Sequence, residues 1–470
     1  VRSNLRLRIL LLFALIGSGN IAAIAAGVLL AWRRAPDALP ALTVAGLVAT
    51  FGAVLVTVLV WLLFDEHVAR AITRFTAALR TRAHGGVTTD LDVSCVRHLG
   101  DLGPASGALC RELAEMHASF ESRLDSATSK MEEENAHLAA LLSEIPVAVM
   151  LLDEAFRIIL YDRQCVHALG QVASLGLGRS VFDYLDRGAL ERAVADLAAD
   201  SGRHFLDVDL ATADGQGTVS TRVRRALQGG GFMLSMEIED DIMAERPLVF
   251  DFGLTDRAMD QHIAQTPLSA LSYVVFDTET TGLDITRDEI VQVGAVRVLS
   301  NRIVRGETCE TLVNPGRPIP GESSRIHGIT NDMVSQAPDP ITALRQFHGF
   351  ARDAVLVAHN APFDLAFLKR HEAGLGLAFD HPVLDTVLLS AVIFGEGEPH
   401  TLDAIADRLD IHIDGSARHT AIGDAIATAQ VLVRLLPMLE AHDIHTFGDA
   451  TTAMRRHARL LPDLNRQIAP

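Results

Sequence analysis

The chain is poor in cysteine, in lysine and in net positive charge, and each shortage narrows what it can be. Four cysteines in 470 residues (Cys95, Cys110, Cys165 and Cys309) are too scattered for a disulfide framework. There is no CxxC and no cysteine–histidine pairing at zinc spacing, so reduced thiols in a cytoplasm are the expectation. Lysine is rare, and arginine carries nearly all the positive charge. A formal net charge of −18 argues against a protein that coats nucleic acid through a broad basic face. It is compatible with an enzyme that handles a short stretch of backbone through bound cations, which invert local electrostatics. What the chain does have is apolar sequence. A 49 % hydrophobic content and a mean hydropathy of +0.24 point to membrane segments, and the length fits about three domains.

Residues 9–32 and 41–64 are two nearly unbroken apolar runs, each long enough to span about 30 Å of hydrocarbon. Asn20 is the only strongly polar interruption in the first. Arg2, Arg6 and Arg8 could begin a signal peptide, but the run is too long for one and a second run follows at once. Arginine placement sets the expected orientation. Three arginines precede the first span and Arg70, Arg74, Arg80 and Arg82 follow the second, against Arg33 and Arg34 between them. Both termini are therefore expected in the cytoplasm of a bacterial inner-membrane protein.

Residues 65–143 read as juxtamembrane and coiled-coil helix, broken at Gly85-Gly86. From Leu109 through Leu113, Met116, Phe120, Leu124, Ala127, Met131 and Leu138 to Leu142, apolar residues recur at three- and four-residue steps. A narrow stripe on a long helix predicts a parallel homodimer, the alternative being one helix packed on its own domain. Residues 144–240 read as two strands, short helices and three strands, with turns at Ala213-Asp214-Gly215 and Gly229-Gly230-Gly231. That order, opening on Ile145-Pro146-Val147 and Ile158-Ile159-Leu160-Tyr161 after a long helix, resembles a PAS domain, with no haem or flavin attachment residue in sight. Residues 241–268 read as a linker, 269–440 as a compact α/β domain and 441–470 as a tail.

The chemistry gathers in 269–440. A wholly apolar strand runs into Asp277-Thr278-Glu279-Thr280-Thr281-Gly282, and strand alternation puts Asp277 and Glu279 on one face. Two carboxylates burying together repel unless cations lie between them, although Asp-x-Glu alone is a weak signal. A second strand ends near His359, Pro362 opens a helix, and Asp364 falls in its first turn, where helix-dipole stabilisation is the plain alternative. His419 and Asp424 open a third piece. Five residues turn an ideal helix by about 500°, so the two share no face if both are helical. His419 is therefore expected on the loop before the helix.

In order and in one domain, these pieces resemble the three exonuclease motifs of the DnaQ-like DEDDh family, which includes the epsilon subunit of bacterial DNA polymerase III. Ile326-His327-Gly328-Ile329-Thr330 and Leu384-Asp385-Thr386 match further. The resemblance covers about 170 residues and implies an RNase H-like α/β fold with a mixed sheet. It implies two Mg²⁺ or Mn²⁺ ions held by Asp277, Glu279, Asp364 and Asp424, with His419 as general base. It implies nucleoside 5′-monophosphates cut from a 3′ end. Thr280, Thr281, Gly282 and His327 would contact the terminal nucleotide, and Asp385 a supporting or capping role. Residues 268–440 hold 13 arginines and lysines against 23 carboxylates, a net of −10, so short single-stranded ends, DNA favoured, are the expected substrate. RNA or very short oligonucleotides remain open within the same chemistry. A sensory membrane scaffold that only binds nucleic acid is the rival of another class, and the intact carboxylate set argues against it.

Overall fold

The computed structural model describes residues 5–34, 39–72, 147–170, 172–199, 203–226, 231–237, 249–250, 262–415 and 417–465, with a few short pieces between 75 and 112. The expected coiled coil lies almost wholly outside the described residues. The chain divides into two units, Val1–Ser119 and Phe120–Pro470.

In the first unit, α1 (Leu5–Arg34) and α2 (Leu39–Phe64) pack side by side. Gly17 lies against Thr57, Gly46 against Val28, and the Phe13 and Phe64 rings meet at 5.9 Å. Small residues at such contacts let helices approach closely in lipid. Leu11, Leu47 and Phe51 point outward, each more than 60 % exposed, an arrangement suited to hydrocarbon rather than water. Both helices are long and apolar enough to cross a membrane. A third helix passes the same test by length and composition, Ala421–Glu440, but it is mostly buried in the interior.

The second unit carries two sheets. The first is antiparallel, ordered β3-β4-β5-β1-β2-β6, from β1 (Val147–Leu152), β2 (Ile158–Tyr161), β3 (Phe205–Ala211), β4 (Thr218–Arg225), β5 (Phe232–Glu237) and β6 (Val249–Phe250). Between β2 and β3 come α3 (Arg163–Leu169) and α4 (Arg187–Ala199). Alternation along β1 buries Ala148, Met150 and Leu152 against Tyr161, Leu169 and Tyr184. Asp162 caps α3 through the Cys165 N–H at 2.9 Å.

The second sheet is mixed, ordered β11-β10-β7-β8-β9. β7 (Tyr273–Thr280) runs antiparallel to β8 (Ile290–Leu299), which pairs with β9 (Arg302–Leu312). β10 (Val355–Ala358) runs parallel to β7 and to β11 (Val383–Asp385). The helices are α5 (Gly321–His327), α6 (Asn331–Val334), α7 (Pro340–Ala351), α8 (Ala361–Arg370), α9 (Glu372–Leu375), α10 (Thr386–Phe394), α11 (Leu402–Arg408), α12 (Ala421–Glu440) and α13 (Phe447–Arg455). They form a layer on each face. Tyr273 and Val275 of β7 share a core with α10, α11, α12 and α13, while Val274 and Phe276 share one with α7 and α8. This is the expected RNase H-like arrangement.

Packing runs past both expected edges of 269–440. The Leu268 N–H donates to the His445 carbonyl at 2.8 Å, and Phe447, Ala450 and Met454 of α13 are buried in the core. The Asn465 side-chain amide accepts from the Val383 N–H of β11 at 2.8 Å and donates to its carbonyl at 2.7 Å. The two sheets also meet through polar groups. Buried Glu307 of β9 accepts from the Tyr161 hydroxyl at 3.0 Å and the Leu177 N–H at 2.7 Å, and pairs with Arg297 of β8.

Candidate active site

β7 sorts the site residues by face. Asp277 and Glu279 follow Tyr273 and Val275 toward the α12 layer, whereas Thr278 follows Val274 and Phe276 toward α8. On the first side, α12 lies directly over β8. Gly294 pairs with Asp277 across the ladder, and a Cβ there would stand 2.2 Å from the backbone of Ala421 and Ile422. Only glycine admits so close an approach. Gln292, opposite Glu279, accepts from the Ala421 N–H at 3.1 Å and donates to Glu310 at 3.1 Å. The Thr420 hydroxyl caps α12 through the Gly423 N–H at 3.1 Å. These contacts deliver Asp424, in the first turn, to the carboxylates of β7.

The outcome is a cluster in which ligand oxygens of Asp277, Glu279 and Asp424 lie within 4.8 Å of one another. Asp364 reaches the same end of β7 from the other layer. β10 ends its pairing at Val275, which leaves the Thr278 N–H beyond the ladder, and Asp364 Oδ1 takes it at 3.1 Å. The Thr278 hydroxyl donates to the same oxygen at 2.6 Å. Asp385 caps α10 by accepting from the Val387 N–H at 2.8 Å, and ties the start of α8 to it by accepting from the Ala361 N–H at 2.7 Å.

Crowded carboxylates hold their protons. Burial, then Asp364, Glu279 and Asp424, raise Asp277 well above the usual carboxylate range. Burial, with Asp424 and Asp364, pushes Glu279 up to about 8. Burial pushes Asp364 up to about 7 against the lowering effect of its Thr278 hydrogen bonds. Asp424 Oδ1 is buried with no hydrogen-bond partner. An all-oxygen set with an orphaned carboxylate oxygen fits a hard divalent cation.

The remaining expected residues divide by exposure. His419 is exposed on the turn before α12, at φ +62°, as the helical geometry predicted. Thr280 and Thr281 are buried and spend their hydroxyls locally, on the Gly282 carbonyl at 2.7 Å and on Asp288 at 3.0 Å. Gly282 is close-packed, since a Cβ there would meet the Asp288 carboxylate at 2.4 Å. His327 is buried, its Nδ1 accepting from the Ile329 N–H at 3.1 Å, and burial lowers its pKa. Sequence reasoning missed Thr278, Gln292, Gly294 and Arg418, whose guanidinium pairs with Asp424. It also missed Leu283, an apolar side chain 83 % exposed on the loop directly after Gly282. An apolar residue exposed directly after the Asp277–Gly282 motif was the available signal for it.

Comparison with known proteins bears on this geometry. The sequence model of the RNase_T exonuclease family matches residues 274–432. A DNA polymerase III subunit epsilon-like protein of Rhodobacter capsulatus is 31 % identical, with 99 % of each chain covered. The PolC-type DNA polymerase III of Caldanaerobacter subterraneus is 38 % identical over 182 residues, 39 % of this chain and 13 % of that one. Among solved structures, Exonuclease X in complex with 5′ overhanging duplex DNA is 24 % identical with a TM-score of 0.31, covering 38 % of this chain and 99 % of that chain. The carboxylates of β7, α8 and α12 all fall inside the matched segment, and the chain belongs to the DNA polymerase III epsilon-like family of exonucleases.

Proposed function

We propose that this nuclease is a membrane-anchored 3′→5′ exonuclease that removes nucleoside 5′-monophosphates from single-stranded ends, DNA favoured, with two divalent cations. The observation that carries the reading is the convergence of Asp277, Glu279 and Asp424 with an unpartnered, buried Asp424 Oδ1. Asp277, Glu279, Asp364 and Asp424 are the ligands for Mg²⁺ or Mn²⁺. Such ions, when bound, stabilise the attacking and leaving oxygens of an in-line displacement. Thr278 keeps Asp364 oriented through its two hydrogen bonds. His419 takes a proton from the attacking water at a ring nitrogen, and its exposure on a turn supports a ring free to move onto the substrate. The hydroxyls of Thr280 and Thr281 hold the 280–289 loop, so the loop meets the terminal nucleotide through backbone at Gly282 and through Leu283. An exposed leucine offers a base face an apolar surface. His327 adjoins the start of this loop through the Thr280 backbone.

Residues 1–64 anchor the chain, with the nuclease on the cytoplasmic side, and 65–143 pair two copies. Residues 144–240 are a PAS-like sensor, a reading supported by the antiparallel order β3-β4-β5-β1-β2 with its helices between β2 and β3. The deciding experiment is an assay of the purified chain on 3′-labelled single-stranded DNA, duplex DNA and RNA, with Mg²⁺ and with chelator. Mononucleotide release from single-stranded DNA with Mg²⁺ alone is expected. Binding without cleavage would favour the scaffold reading, and preference for RNA would move the substrate.

A further inference from the structure

The two oxygens of Asp424 meet different surroundings. Oδ1 is buried with no hydrogen-bond partner, while Oδ2 is held by Nη1 of Arg418. Arg418 is itself pinned from the other side. Its Nε and Nη2 grip both oxygens of Asp403 on α11 at 2.9 and 3.2 Å, a two-point fork that only a guanidinium supplies. The Asp403 side chain is 65 % exposed and that of Asp424 only 10 %, so Arg418 links a wet carboxylate to a dry one.

The backbone beneath Arg418 is equally fixed. Its N–H donates to the Asp414 carbonyl at 3.1 Å. The Thr420 hydroxyl donates to the Ala417 carbonyl at 2.7 Å. That carbonyl lies so close to α12 that a Cβ on Gly423 would stand 1.9 Å from it. His419, between Arg418 and Thr420, rides on this closed turn.

We propose that Arg418 is a positioning residue of the nuclease centre: by bridging Asp403 and Asp424 it keeps Asp424 Oδ1 turned to the carboxylate cluster and holds the turn that carries His419. This rests on the reading of the cluster as a divalent-metal centre. Loss of a partner that orients a metal-binding side chain typically costs about 10–100-fold in metal affinity or activity. The charge of Arg418 acts in the opposite sense, because a guanidinium repels a nearby divalent cation. Removing it tightens metal binding if charge is all it contributes, and weakens metal binding if orientation dominates. The sign of the change therefore distinguishes the two.

The test titrates Mn²⁺ into the purified full-length chain without substrate, following free Mn²⁺ by electron paramagnetic resonance, for wild type, Arg418→Gln, Arg418→Lys and Asp403→Asn. Both Arg418 variants are expected to weaken Mn²⁺ binding about tenfold or more, since lysine keeps the charge but not the fork. Asp403→Asn should weaken it less, in the same direction. On a 3′-labelled oligonucleotide kcat should fall with KM nearly unchanged. Tighter or unchanged Mn²⁺ binding in Arg418→Gln, with a wild-type circular dichroism spectrum, overturns the proposal. If that variant does not fold, Asp403→Asn, altered at an exposed side chain, gives the same decision. A wild-type chain that neither binds Mn²⁺ nor cuts would overturn the metal-centre reading instead.

Discussion

Replacing Asp277 by asparagine separates two properties of the cluster that are entangled in the native chain. Without metal, burial and three neighbouring carboxylates raise Asp277 well above the usual range, which favours its neutral form. Asparagine matches a protonated aspartate in shape and charge, so the metal-free variant should unfold within a degree or two of wild type. With metal the two diverge. A cation present at about 100 times its dissociation constant stabilises the folded state by about 2.7 kcal/mol. For a domain of about 150–250 residues that is a rise of roughly 5–11 °C in Tm. A hundredfold loss of affinity in the variant would leave about 0.4 kcal/mol, a rise of under about 2 °C.

Circular dichroism suits this measurement better than intrinsic fluorescence, because both tryptophans, Trp32 and Trp61, lie in the apolar N-terminal helices. Melts with Mg²⁺ and with chelator give the four values needed. An equal metal-induced rise in Asp277→Asn and wild type would refute Asp277 as a ligand. A metal-free variant several degrees less stable than wild type would refute the preference of Asp277 for its neutral form.

Other perturbations test other parts of the argument. The folded state keeps a proton on Glu279 up to about 8, whereas its ordinary value is 4.5, so between those values the folded state binds more protons than the unfolded. Stability of the metal-free protein should therefore fall as pH rises through that window, and Mg²⁺ should reverse the fall; a metal-free Tm that climbs from pH 5 to 8 would contradict it. Gly294→Ala puts a Cβ into the α12 backbone, and it should cost about 1–3 kcal/mol or more and most of the turnover, read by melting and by oligonucleotide assay. His419→Ala should lose roughly 10²–10⁴ in turnover at neutral pH with Mn²⁺ affinity little changed, the defect shrinking as pH rises; near-normal turnover at pH 7 would remove His419 from the mechanism. Reporters placed at Pro470 and in the loop containing Arg33 and Arg34 should fall on opposite sides of the membrane, and finding them together would overturn the two-span topology.

The carboxylates were legible in the sequence because each sits at a local boundary with its own signature. Asp277 and Glu279 end an apolar strand, Asp364 follows Pro362 into a helix, and Asp424 opens an apolar helix. The residues that bring them together were not legible, because their partners are distant in sequence. Gln292 meets Ala421 across 129 residues, and Gly294 is an ordinary strand glycine until α12 is laid over it. Arg418 looked like one more arginine in an arginine-rich chain. The flanks of the nuclease domain carry little periodicity, yet Thr446 and Asp449 form a capping box that was available as a helix start. A tail that pairs through one asparagine, as Asn465 does with β11, leaves no pattern at all.

The alternation of β7 explains why three consecutive residues matter where the motif names two. Asp277 and Glu279 face α12, and Thr278 faces α8, so one strand collects carboxylates from both helix layers at the sheet's end. A shift of one residue in the β7–β8 register would turn Thr278 toward α12 and bury both acids against α8, destroying the cluster without changing its composition. In the observed register Gly294 and Gln292, which admit and pin α12, stand opposite Asp277 and Glu279. The same concentration of acid limits how the domain can hold a strand. With a net of −10 over residues 268–440, the proposed function draws affinity for nucleic acid from the site itself, through cations and the 280–289 loop, rather than from the surface around it. Lengthening the oligonucleotide beyond the few nucleotides that reach the site should then add little to binding, and raising salt should weaken it less than it weakens a basic-faced nuclease.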